Sequence, residues 1–175
     1  MLEETTAREF INEALTESGS IFSKYKVWGY KKTVTYYKRK QRNFITELSK
    51  DFAGWSVKNV LDNLNINILE FDESCIYEGY SNQGGIAINP ICDNPIRTAI
   101  HEIAHCVLGF EYEDKDLNEA EVETVCYIVC KQIGINDDLP YSRHYIKTNL
   151  KDNEFTENSI TKCITAAETI IDAGY

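Results

Sequence analysis

The pentapeptide His101-Glu102-Ile103-Ala104-His105 restricts this chain more than any other stretch of it. Around it, Ile96, Ile100, Ile103, Val107 and Leu108 recur at helical spacing. Asn94-Pro95 offers an N-cap residue followed by proline at the first helical position, and Gly109 offers a left-handed stop. A helix beginning at Pro95 is therefore predicted. Residues four apart on a helix lie about 40° apart around its axis, so both imidazoles face one point and can share one ion. Whatever fold the chain adopts must leave that helix face open and bring further donors to it.

A catalytic zinc takes three protein ligands and keeps one position for water. Glu102, flanked by the two histidines, is the candidate general base that takes a proton from that water, which makes peptide hydrolysis the predicted chemistry and a protein or peptide the predicted substrate. The third donor is sought on a second helix, predicted over residues 117–133 from Val122, Val125, Cys126, Val129 and Ile133 and stopped by Gly134. Glu119 and Glu123 stand one turn apart on that helix and repel each other unless a cation or a hydrogen bond relieves them. Glu123, deeper in the helix, is preferred as the metal ligand. Glu119, in the first turn, is the alternative ligand or the outer acceptor that fixes a histidine ring. Glu121 is expected to be solvated, and His144 to be an ordinary helix residue.

The rest of the chain supports a small mixed domain. At 175 residues it can bury one good core. A short amphipathic helix is expected over residues 6–16, another helix over 55–64, a half-buried strand over 66–71, and helices near 140–150 and 156–173. Residues 75–80 and 85–89 flank Ser81-Asn82-Gln83-Gly84, the composition of a hairpin turn, with the strand at residues 85–89 a candidate edge for docking an extended peptide. No apolar run is long enough for a membrane span and the N-terminus is acidic and polar, so a cytoplasmic location is expected, with the six cysteines as reduced, mostly buried thiols. The formal charge of -10 is uneven. Residues 24–42, from Lys24 to Arg42, are basic and interleaved with Trp28, Tyr30, Tyr36 and Tyr37, whereas residues 111–123 are acidic.

Three segments together carry a family resemblance: Thr98-Ala99-Ile100-His101-Glu102-Ile103-Ala104-His105, the run Glu119-Ala120-Glu121-Val122-Glu123-Thr124-Val125-Cys126-Tyr127-Ile128-Val129-Cys130, and Lys131-Gln132-Ile133-Gly134-Ile135. They resemble the zincin-like domain of ArdC-type antirestriction proteins, related to the broader ImmA/IrrE metallopeptidases. The resemblance covers residue 55 to the C-terminus, with a fainter match at Ser142-Arg143-His144-Tyr145-Ile146. It implies an α+β zincin-like fold in which a small antiparallel sheet packs on the HExxH helix and a helical C-terminal half completes the site. It further implies zinc on His101, His105 and Glu123 or Glu119, catalysis by Glu102, and a role in antirestriction or in regulating a repressor or defence protein. Residues 55–175 would form the metallopeptidase domain and residues 1–54 a basic, aromatic appendage where ArdC-type proteins carry a single-stranded-DNA-binding domain. Two rival readings follow from charge alone. The acidic surface would mimic nucleic acid in a non-catalytic antirestriction binder, or the segment from Lys24 to Arg42 would bind single-stranded nucleic acid through phosphate contacts and base stacking.

Overall fold

The computed structural model describes residues 4–16, 44–72, 75–111, 113–136, 139–151 and 154–175. The basic segment from Lys24 to Arg42 lies outside the described residues. The class is mixed α+β: among the described residues there are seven helices and one two-stranded antiparallel sheet. The helices are α1 (Glu4–Thr16), α2 (Phe44–Leu48), α3 (Val57–Asn63), α4 (Pro95–Leu108), α5 (Lys115–Gln132), α6 (Leu139–Leu150) and α7 (Glu157–Ala173), and the strands are β1 (Gly79–Asn82) and β2 (Gly85–Ile88). None of these helices is long and apolar enough to cross a membrane.

Helix α5 is the centre of the molecule. Every residue from Ala120 to Cys130 is buried, because α1, α4, α6 and α7 all pack against it. This explains why its sequence shows a weak one-sided stripe: a helix covered on all sides has no solvent face to mark with polar residues. The same enclosure corrects one expectation. Glu121 is not solvated but 5 % exposed, and its carboxylate accepts a 2.9 Å hydrogen bond from Lys162 of α7. Cys126, Cys130 and Cys163 lie in this core, and all six cysteines are free thiols. Ala7 and Ile11 of α1 and Leu48 of α2, on the N-terminal side of the boundary expected after residue 54, belong to that same core. Glu13 ties α1 down by pairing with Lys131 and Arg143.

The hairpin is present, with Gln83 and Gly84 as its two-residue turn, closed by the Gly84 amide donating to Asn82 Oδ1 at 2.7 Å. The strand expected over residues 66–71 shrinks to a single parallel bridge between Ile68 and Ile86. Two backbone hydrogen bonds, from Leu69 to Ile86 and from Ile86 to Asn67, nevertheless seal the outer side of β2. This corrects the docking edge: β2 is buried between β1 and residues 67–69, so among the described residues the unpaired edge belongs to β1. The close fit requires glycine at 85, where φ is +142° and a Cβ would lie 2.1 Å from the Asn67 carbonyl oxygen. Gly85→Ala is expected to cost about 3 kcal/mol, the upper range for overpacking and backbone strain. Urea unfolding measures it, and unchanged stability would mean that residues 67–69 do not cover β2.

Candidate metal centre

Helix α4 forms as its sequence predicts. Asn94 Oδ1 accepts from the Arg97 amide at 3.2 Å, Pro95 opens the first turn, Ile96, Ala99, Ile100, Ile103 and Ala104 are buried, and Gly109 ends it at φ 87°. Helix α5 starts at Asp114, whose carboxylate caps the amides of Asp116 and Leu117. These two caps fix where each helix begins.

The Nε2 atoms of His101 and His105 lie 3.8 and 3.7 Å from the two oxygens of Glu119. Among the described residues His101, His105 and Glu119 form the one group of three donors whose ligand atoms all lie within 4.8 Å of one another. Donors about 2.0–2.1 Å from a tetrahedral zinc are themselves about 3.4 Å apart, so the observed spacing needs only a small contraction. Donor type also fits, since two imidazoles and a carboxylate make a common zinc set. His144 is exposed on α6 and lies outside the group.

Glu123 does something other than join that group. Its Oε2 accepts from His101 Nδ1 at 2.9 Å, while its other oxygen pairs with Arg97. At 1 % exposure the carboxylate is enclosed. Burial alone would raise its pKa, but the His101 hydrogen bond and the Arg97 charge prevail and hold it below the usual range. The placement of the two acids is thus the reverse of the sequence preference. The one-turn offset carries Glu119 to the Nε2 side of the histidines and Glu123 to the Nδ1 side. A carboxylate on Nδ1 holds a histidine so that Nε2 carries the lone pair towards a metal.

His105 has a different environment. Burial, then the neighbouring His101, pushes its pKa down to about 4, so it is an uncharged imidazole at neutral pH. Asn118, one residue before Glu119 and 2 % exposed, lies beside that ring without an ordinary hydrogen bond to either of its amide atoms. For His101, burial would lower the pKa, but the Glu123 hydrogen bond and charge raise it.

Glu102 is not one of the three grouped donors and reaches the sheet. Its Oε2 accepts from Ser81 Oγ of β1 at 2.8 Å, and burial raises its pKa against the opposing pull of His101 and Ser81. Gly79 lets β1 approach this close: a Cβ there would lie 2.8 Å from Thr98 Cγ2 and 3.1 Å from Glu102 Cγ. Two adjoining open clefts of about 340 and 470 Å³ meet here, with Tyr77, Gly79, His101, Glu102 and Tyr145 common to both.

No family model, curated protein or solved structure matches this chain. The site is therefore read from its own geometry. Sequence reasoning missed Ser81, Arg97, Asn118 and Tyr145. Ser81 and Arg97 bond to a carboxylate of the site and Asn118 lies beside His105, and nothing in the spacing of a serine, an arginine or an asparagine marks such a contact. Tyr145 left one trace, in the segment Ser142-Arg143-His144-Tyr145-Ile146.

Proposed function

We propose that the protein is a zinc-dependent metallopeptidase with a zincin-like arrangement, in which His101, His105 and Glu119 hold the metal and Glu102 is the catalytic base. The observation that carries this reading is the convergence of both Nε2 atoms on the Glu119 carboxylate at 3.7–3.8 Å, beside a buried second carboxylate that faces an open cleft. The likeness of residues 98–105 and 119–135 to the zincin-like domain of ArdC-type antirestriction proteins agrees with it. Zinc would supply a Lewis acid that polarises a carbonyl and lowers the pKa of water towards about 7.

The chain's own residues do the rest. Glu102, steered by Ser81, takes the proton of the attacking water and later delivers it to the leaving nitrogen. Glu123, braced by Arg97, keeps the His101 ring in one orientation. The open edge of β1 presents unpaired backbone groups along the cleft, where an extended protein segment gains main-chain hydrogen bonds.

The rival reading of a nucleic-acid mimic loses part of its basis. Of the acids between Glu111 and Glu123, Glu121 and Glu123 are buried and Glu119 faces the histidines, so they contribute little to the surface. The single-stranded nucleic-acid reading rests on Lys24 to Arg42, outside the described residues. Elemental analysis of the purified protein tests the proposal. About one zinc per chain is expected in the wild type and none in His101→Ala/His105→Ala, as a three-ligand site requires. No zinc in either protein would overturn the metallopeptidase reading.

A further inference from the structure

We infer that Asn118 is a positioning residue for His105: its amide oxygen accepts the Nδ1 proton of that ring and leaves Nε2 with the lone pair that a metal needs. The inference rests on the metallopeptidase reading and assigns the partner that this reading leaves open on the second histidine. A neutral imidazole binds a metal through one nitrogen only when its proton sits on the other. An acceptor fixed beside Nδ1 therefore settles which nitrogen is available and how the ring is turned. His101 has such an acceptor in Glu123. Among the described residues no carboxylate does this for His105, whose approach to Glu119 is through Nε2.

Helix packing brings Asn118 to the place required. His101 of α4 meets Glu123 of α5, and His105, one turn further along α4, meets Glu119, one turn earlier on α5. The two helices thus run in opposite directions, and the start of α5 is the part that accompanies His105. Asn118 directly precedes Glu119, is 2 % exposed, and has no ordinary hydrogen bond at either Oδ1 or Nδ2. A buried amide without a partner is uncommon and destabilising. Its acidic neighbours on α5 do not share this condition: Glu119 accepts from the Tyr145 hydroxyl and Glu121 from the Lys162 ammonium. Asn118 also acts on His105 in one direction, raising its pKa against the effect of burial. An acceptor of the ring proton does that and a donor to the ring does not, so Oδ1 is the atom turned towards the imidazole. With the Nε2 lone pair committed to a metal, the ring proton resides on Nδ1 and the orphaned oxygen gains its donor. The proton changes place within one neutral ring, so nothing else is taken up or released.

Asn118→Leu, which keeps the bulk of the side chain and removes the acceptor, and Asn118→Asp, which keeps an acceptor oxygen, test this against wild type. Zinc affinity is measured by competition with a chromophoric chelator, and the ring N–H protons of the zinc-loaded, isotope-labelled proteins are read by NMR. Wild type is expected to show slowly exchanging Nδ1 protons on both His101 and His105. In Asn118→Leu the His105 proton is lost to exchange with water while the His101 proton stays, and zinc binds about 10- to 100-fold more weakly. The zinc-free variant melts no lower than wild type, because an unpaired buried amide has gone. Asn118→Asp keeps the His105 signal and binds zinc at least as tightly as wild type. A merely structural role would lower the melting temperature of Asn118→Leu and leave the His105 ring proton in place, and that result overturns the inference. So does unchanged zinc affinity in Asn118→Leu, or a His105 proton that exchanges freely in loaded wild type. Should Asn118→Leu not fold, Asn118→Asp decides: weaker zinc binding than wild type overturns the inference, and retained binding with the ring proton present upholds it. All these failures leave zinc in the wild type and the metallopeptidase reading standing, whereas wild type that takes up no zinc overturns both.

Discussion

Glu102→Gln is expected to lower the hydrolysis rate about 10²- to 10⁴-fold, the contribution of a positioned general base, without changing zinc content. Glutamine has the same shape, and its amide oxygen still accepts from Ser81 Oγ, which now lies 2.8 Å from the carboxylate. The contact between β1 and α4 therefore survives, and so do both histidines. What disappears is a basic lone pair for the water proton. Removing a buried charge also ends its desolvation cost, so thermal stability should hold or rise. Release of new amino groups from an unfolded protein substrate measures the rate, and elemental analysis measures the zinc. Zinc-loaded Glu102→Gln that hydrolyses as fast as wild type would remove Glu102 from catalysis.

The two acids of α5 provide the second contrast. Glu119→Ala is expected to lower zinc affinity well beyond a hundredfold, whereas Glu123→Gln should cost about 10- to 100-fold, the range for partners that orient a ligand. Glutamine is the choice at 123 because its amide oxygen can still accept from the Arg97 guanidinium, whereas alanine would leave that buried group with neither the charge nor the acceptor. Breaking a buried pair in that way costs about 3–5 kcal/mol and confuses unfolding with metal loss. The comparison needs only a chelator competition. A larger loss from Glu123→Gln than from Glu119→Ala would restore the sequence preference for Glu123 as ligand and displace Glu119.

Much of the helical frame was legible. Asn94-Pro95 and Gly109 bracket α4 at the positions where its caps lie, and the limits read for α1, α5, α6 and α7 agree with the structure to within about two residues. The short α2 was not read, and the strand over residues 66–71 reduced to one bridge, because alternation marks which side chains are covered and not how many backbone hydrogen bonds a partner strand supplies, here two with Ile86. Glu121 misled for a related reason. On a helix enclosed by four others, a charged residue indicates a partner elsewhere in the fold, here Lys162, rather than solvent.

The sequence by itself determined that two histidines and a glutamate share one capped helix, and that two further carboxylates lie one turn apart on the next. Those are local facts, set by cap chemistry and the 3.6-residue repeat. Only the tertiary structure decided which carboxylate meets Nε2 and which meets Nδ1, because that depends on the rotation and offset of α5 against α4. Side-chain packing around Ala120–Cys130 sets that offset, and no spacing within either helix encodes it. The same packing delivered Ser81 to Glu102 and Tyr145 to Glu119 from elements 21 and 26 residues away in the chain.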